Sequence, residues 1–205
     1  MTVLMPDDTP RPDRVAFRSL AADDLHALLH WLADPDVHRW YDEGELTLAN
    51  ITARFTPAID GSEPTHGFLI VIDGQPAGYI QAYAIGDHPD YQRQLDIDPR
   101  AVATDLFIGD AAFRNRGWGA VVLAAFLDRV VFREMGAALA MIAPDPANAR
   151  AIRAYERAGF QWVKTVPVVD EEHPENTGDE YVMLLRREDF APHLPSAKTD
   201  DPGTT

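Results

Sequence analysis

The sequence predicts an α/β fold of the α+β kind, a mixed sheet with helices on both faces. Strand-like and helix-like segments follow one another as β-α-α-β-β-β-α-β-α-β-β, an order that calls for a mixed sheet. Apolar residues make up 46% of the 205 residues, ample for one buried core. A chain of that length lies close to the usual size of about 100–200 residues per domain, so a single domain is expected.

Each element has its own signal. RVAFRSL, residues 14–20, has strand character. Leu25, Leu28, Leu29 and Leu32 recur at i, i+3, i+4 and i+7, one face of a helix. Residues 47–59 predict a second helix, ended near Pro57. FLIVID (68–73) and AGYIQAY (77–83) are strands joined by the turn Asp73-Gly74-Gln75-Pro76. A polar loop from Gly86 to Arg100 leads into a strand near 103–109. Leu123, Phe126, Leu127 and Val130 fall at helical spacing, so a helix follows Gly119. ALAMIA (138–143) is a strand, and residues 148–158 form a helix with Asn148 at its N-cap and Gly159 just past its end. Two strands close the pattern, near 160–169 and 179–185. Residues 1–12 and 191–205 hold no periodic apolar pattern and read as a disordered lead-in and tail around one domain, 13–190.

Charge and composition exclude several functions. With 33 acidic and 18 basic residues the net charge is −15, whereas duplex nucleic acid and anionic lipid both require a positive face. Neither is expected as a partner. No apolar run reaches the roughly 18 residues of a membrane span, and the opening MTVLMPDDTPRPDR is no secretory signal. A cytoplasmic location is therefore expected. The absence of cysteine removes disulfides, thiolate zinc sites and a thiol nucleophile. His26 and His30 stand at i, i+4 without a third ligand, so no metal is expected, and none of the three serines lies in G-x-S-x-G.

Two segments carry chemistry. FRNRGWGAVVL (113–123) sets Arg114 and Arg116 around the turn Arg116-Gly117-Trp118-Gly119, directly before a helix. Amides at a helix start lack intrahelical partners and carry the positive end of the helix dipole, and glycines let an anion approach closely. A phosphate or pyrophosphate fits there; so does a plain glycine turn with two solvated arginines. In NARAIRAYERAGF (148–160), Asn148 and Tyr155 are seven apart and share nearly one helix face.

Arg-x-x-Gly-x-Gly at 114–119, followed by Asn-x-x-Ala-x-x-x-Tyr-Glu-x-x-Gly-Phe at 148–160, resembles the acyl-CoA site of the GCN5-related N-acetyltransferase (GNAT) superfamily. That resemblance implies a mixed, mostly antiparallel central sheet of about seven strands and acetyl-CoA as donor. It places the CoA pyrophosphate on the loop of Arg114, Asn115, Arg116, Gly117, Trp118, Gly119 and Ala120, and the pantetheine arm along the backbone of Phe107, Ile108 and Gly109. Asn148 would border the cofactor, and Tyr155 would protonate the departing thiolate.

DGQPAGYIQAY (73–83), RWYDEGELTLAN (39–50), DIDP (96–99) and Asp105 together resemble the aminoglycoside 6′-N-acetyltransferases over about residues 15–186. The implied reaction is acetyl transfer to a primary amine, the 6′ amine of an aminoglycoside, conferring resistance, by a monomer or homodimer. Without a cysteine, attack would be direct in a ternary complex, with the amide near Ile108 polarising the thioester. Trp40, Tyr41, Asp42, Gln81, Tyr83, Asp98, Asp105 and Asp145 would line the acceptor site.

Acidic loops agree with a polycationic acceptor: Asp34, Asp36, Asp42, Glu43 and Glu45, then Asp87, Asp90, Asp96, Asp98 and Asp105, then Asp170, Glu171, Glu172, Glu175, Asp179 and Glu180. Taken singly, each is also readable as a solvated loop. An acceptor ammonium must lose a proton before it attacks, which a cleft carboxylate accepts. Either Asp98 or Asp105 is a candidate base; Asp105 is read as the binding residue and Asp98 as the base. The resemblance to the aminoglycoside 6′-N-acetyltransferases implies an aspartate directly before the proline, where this sequence has Ala143, with Asp145 two positions on as a substitute. Two other readings stay open, acylation of another amine such as a siderophore hydroxylysine and a non-catalytic binder of cations.

Overall fold

The computed structural model describes residues 9–41, 44–169 and 177–191. Asp42, Glu43, Asp170, Glu171, Glu172 and Glu175 lie outside them. Seven strands make one sheet: β1 (Val15–Ser19), β2 (His66–Ile72), β3 (Gln75–Ala84), β4 (Val102–Ile108), β5 (Leu139–Ile142), β6 (Gln161–Val168) and β7 (Gly178–Arg186). Their order is β1-β2-β3-β4-β5-β7-β6, and every pair is antiparallel except β4 with β5. The mixed, mostly antiparallel sheet expected from the sequence is therefore present.

Local chemistry explains the elements. Asp73 (φ 50°) and Gly74 (φ 76°) are both left-handed, making a two-residue hairpin loop whose twist suits β2 and β3. Helix α1 (Leu25–Leu32) buries Leu25, Leu28, Trp31 and Leu32. One turn, α2 (Pro35–His38), follows, with the Asp34 carboxylate accepting from the Asp36 amide at 2.9 Å. Thr47 caps α3 (Leu48–Asp60), and Gly61 ends it at φ 77°. Pro57 does not end that helix: it sits in the last turns, where Ile51 and Phe55 already anchor the buried face. A short helix, α4 (Pro89–Leu95), occupies part of the stretch read as a loop. Proline suits its first position, but seven residues hold too few apolar repeats to reveal a period. Helix α5 (Trp118–Phe126) continues as a π-helical segment, Leu127–Glu134, and α6 spans Ala149–Arg157. Among the described residues no helix is long and apolar enough to cross a membrane.

The sheet has a core on each face. Ile80, Val122, Phe126 and Met183 pack on the α5 side. Opposite, Leu28, Phe55 and Tyr79 pack under α1 and α3, and Leu95, Met141 and Val182 under α4. Each large apolar side chain so buried contributes about 1.5–3 kcal/mol.

The parallel pair positions the site. β4 and β5 meet only at Val102–Ala140 and Ala103–Met141. Beyond them β4 stays on β3 as far as Ile108, whereas β5 ends at Ile142, so the sheet splits. Gly109 fixes where β4 stops: an added Cβ would lie 2.3 Å from the Trp31 ring of α1.

Candidate active site

The split between β4 and β5 opens a cleft of about 450 Å³. Its wall includes Leu106, Phe107 and Ile108 of β4, Ile142 at the end of β5 with Ala143 to Asp145 after it, the loop from Phe113 and the first residues of α5, and the inner face of α6. The Gly109 amide donates to the Ala77 carbonyl at 2.8 Å, towards β3. Backbone groups alternate along a strand, so those of Leu106 and Ile108 face the cleft with no strand opposite. Of the three residues assigned to a pantetheine arm, only Ile108 offers its backbone groups to the cleft. Phe107 instead packs its ring against Trp31, Tyr41 and Tyr79, and the Gly109 amide is already bonded.

At the far end, Asn115 (φ 61°) and Gly117 (φ 88°) turn the loop into α5. No side chain caps α5 at Gly117, which leaves the first-turn amides available to an acceptor from outside. An added Cβ at Gly119 would meet nothing within 4 Å, so the cradle is open above the helix start. This geometry fits a phosphate group held by backbone donors and the helix dipole.

The arginines differ from expectation. Arg114 does not face this cradle as a free cation. Its guanidinium forks onto Asp34, with Nη1 to Oδ1 at 2.9 Å and Nη2 on Oδ2, and its side chain is only 10% exposed. The guanidinium's hydrogen bonds hold the Asp34 carboxyl down at about 2. Arg114 thus ties the loop to the start of α2. Replacing it with Gln is expected to lower the melting temperature and weaken phosphate-group binding at the helix start by loosening the loop. Asp34→Asn should do the same, and the double variant should be no worse than either single one, as a thermal-melting and ligand-titration series would check. Arg116 is exposed and does not line the cleft, and the Trp118 side chain is buried in the core with the Arg14 guanidinium 5.1 Å from its ring centre.

Positive charge comes from α6 instead. Arg150, Arg153 and Arg157 border the cleft, and Arg150 donates to the Asn115 side-chain oxygen at 2.7 Å. The i, i+3, i+7 spacing of these arginines was visible in the sequence as a helix stripe but was not read as one. Asn148 accepts from the Ala151 amide at 3.1 Å, which makes it the N-cap, and it also borders the cleft.

Tyr155 and Asp105 bring the two titratable groups to the wall of the cleft. Both line the cleft, and burial, with the Asp105 charge nearby, pushes the Tyr155 phenol well above its ordinary value. Burial likewise raises Asp105, against opposing hydrogen bonds from Gln81 and Tyr83. Gln81 Nε2 donates to Asp105 Oδ2 at 2.9 Å. Trp40, Tyr41, Ala143 and Asp145 complete this end, with Asp145 also accepting from the Ala147 amide at 2.6 Å.

Comparison with known proteins agrees with this architecture. The family described as Acetyltransferase (GNAT) domain matches residues 21–168. The chain belongs to the GNAT acetyltransferase family. It is 28% identical over 160 residues to the aminoglycoside N(6′)-acetyltransferase type 1 of Klebsiella pneumoniae, covering 77% of this chain and 79% of that protein. It also resembles the crystal structure of aminoglycoside acetyltransferase AAC(6′)-Ib in complex with coenzyme A and kanamycin, at 26% identity and TM-score 0.72, over 85% of this chain and 95% of that one. The AAC(6′)-Ib structure with paromomycin and acetyl-CoA gives TM-score 0.76 at 26% identity, over 90% and 100% of the two chains.

In this GNAT chain three acceptor-site expectations change. Asp98 does not line the cleft: it accepts from the Arg100 amide at 2.9 Å and from Arg100 Nε and Nη2 at 3.0 and 2.8 Å. Those bonds hold it at about 2, a poor proton acceptor. The aspartate before a proline caps its own turn, as short loops often require. Gln81 and Tyr83 stand behind Asp105 and support it; neither lines the cleft.

Proposed function

We propose that the protein transfers the acetyl group of acetyl-CoA to a primary amine of an aminoglycoside, the 6′ amine, by direct attack in a ternary complex. Resistance to such drugs follows from that activity. The reading rests above all on one observation: Asp105 and Tyr155 line the same cleft at the open edge of β4, near enough for the Asp105 charge to act on the phenol. Similarity to the N(6′)-acetyltransferases supports the acceptor class.

Each residue has a role in this reading. The amides at the start of α5 hold the donor's pyrophosphate, and Arg150, Arg153 and Arg157 add positive charge beside it. The Ile108 amide polarises the thioester oxygen from the open strand edge. Trp40 and Tyr41 present aromatic faces to the sugar rings, while Asp105 and Asp145 attract ammonium groups. Asp105 takes the first proton of the attacking ammonium, and Tyr155 gives its own to the leaving sulfur and is reloaded by the second proton, which the nitrogen sheds as the amide forms. A phenol made less acidic by burial still serves, because the thiolate forms in the same dry place and is made more basic by it.

Purified protein with acetyl-CoA and kanamycin or tobramycin should release CoA well above background. Two-dimensional NMR of the product should place the acetyl group on the 6′ nitrogen. Absence of CoA release with a panel of aminoglycosides sinks the acceptor assignment, and acetylation at another nitrogen sinks the regiochemistry.

A further inference from the structure

Behind the cleft runs a line of polar groups that acetyl transfer as described does not use. Tyr79 Oη donates to Gln81 Oε1 at 2.8 Å, and Gln81 in turn holds Asp105. On the same face of the sheet the half-buried Tyr83 stands two residues beyond Gln81 on β3, diagonal to Asp105 across the β3–β4 register, and its hydroxyl interacts with the Asp105 carboxylate and with Tyr91 of α4. Tyr91 Oη then donates to Glu180 Oε2 at 2.6 Å. Glu180 belongs to β7, which extends past the end of β5 and faces β4 across the split. A carboxylate thus stands at each end with two phenols between.

Acetylating an ammonium with a thioester yields an amide, a thiol and one free proton. Asp105 takes that proton at the cleft wall, where the bound acceptor closes it off, and must shed it before the next turnover. Glu180, at the far end, is partly exposed. We propose that Glu180 is the proton outlet of this site: the proton accepted by Asp105 passes through the hydroxyls of Tyr83 and Tyr91 to the Glu180 carboxylate, and from there to water. The inference rests on the reading above, in which Asp105 deprotonates the acceptor.

The step balances. Asp105 gives its O–H proton to the Tyr83 oxygen, Tyr83 gives its own to Tyr91, and Tyr91 gives its own to Glu180. Both tyrosines end neutral, Asp105 is again an anion, and Glu180 carries the proton. Supporting energetics point the same way. Burial, with Asp105's charge nearby, pushes Glu180 up to about 7, so it both accepts and releases a proton near neutrality. Both phenols are held well above their ordinary values, so hydroxyls and not phenolates carry the transfer. Other groups face this line from every side: Arg54 of α3 and His88 at the start of α4 act on Asp105, and the His88 ring lies 4.7 Å from that of Tyr83. On the helical side the line meets Tyr155 of α6; Lys164 of β6 is turned to the Asp96 carbonyl at 3.1 Å.

Glu180 acts through Asp105 and does not touch the acceptor, so the test reads proton movement. Glu180→Gln keeps the size and an acceptor oxygen for Tyr91. With kanamycin and acetyl-CoA it should lower kcat about tenfold at pH 7 without changing the acetyl-CoA KM. The loss should be restored by added imidazole, a mobile proton carrier. Tyr91→Phe should behave alike, and the double variant should be no slower than either. Infrared difference spectra of the free protein should show a carboxylic C=O band titrating near pH 7. That band should vanish in Glu180→Gln and move to lower pH in Asp105→Asn. If the wild type acetylates and Glu180→Gln matches its kcat at every pH, the outlet is overturned and the acetyltransfer reading stands. If the wild type acetylates no amine, both fall together.

Discussion

Tyr155→Phe lowers kcat by about 100-fold or more, the usual contribution of a placed proton donor, while the acetyl-CoA dissociation constant stays within about threefold. The ring remains where α6 holds it, and only the hydroxyl is lost. The phenol's ordinary ionisation is pushed upward by burial, so the wild-type donor stays loaded throughout the accessible alkaline range. No alkaline limb of the wild-type profile should then belong to Tyr155. Stopped-flow turnover paired with calorimetry of acetyl-CoA binding separates the two quantities. Unchanged turnover in the Phe variant removes the acid role; equal loss of turnover and donor binding points to a displaced helix instead.

Asp105→Asn has the other large effect, a fall in kcat of about 10²–10⁴-fold, with weakened aminoglycoside binding and nearly unchanged acetyl-CoA binding. A base works only when unprotonated, and desolvation raises the folded Asp105 above the ordinary carboxylate range. Wild-type kcat/KM should therefore fall as pH drops through that raised value. In the Asn variant this limb disappears, and the residual rate climbs with pH as the amine itself loses its proton. Stability moves the opposite way. The unfolded chain releases the Asp105 proton at lower pH than the folded one, so stability declines as pH rises from the unfolded to the folded value. Asn removes that decline, and the variant should melt higher than wild type at pH 8 and close to it at pH 4. A variant that melts lower at pH 8 would mean that Asp105 holds the fold and is not an isolated charge at the cleft.

Much of this molecule was legible in its sequence, and the failures share a cause. Strong periods announced the seven strands, α1, α5 and α6, because repeated apolar positions outvote local noise. The one-turn α2 and short α4 escaped, being held by a cap and a proline with too few repeats to count. At the site, motif spacing identified Gly117, Gly119, Asn148 and Tyr155 as neighbours of one cleft. Side-chain partners were beyond its reach. Arg114 looked like a phosphate ligand until Asp34, 80 positions away, was found in its fork. The sequence reading makes Asp98 the base and Asp105 the binding residue, and the geometry reverses that division, because Arg100 holds Asp98 down whereas desolvation raises Asp105. Glu180 lay in an acidic run that composition favours as mere surface, and only strand register brings it opposite β4.

The fork between Arg114 and Asp34 has one more consequence. It joins the loop proposed to cradle the donor to the short helix leading into Trp40 and Tyr41, on the proposed acceptor side. On that reading the two half-sites share a strut, and whatever strengthens it from one end is felt at the other. Thermodynamic linkage then requires reciprocity: the factor by which bound acetyl-CoA tightens the drug must equal the factor by which the drug tightens acetyl-CoA. Cutting the strut should bring both factors towards one, leaving an enzyme whose two ligands bind in indifference to each other.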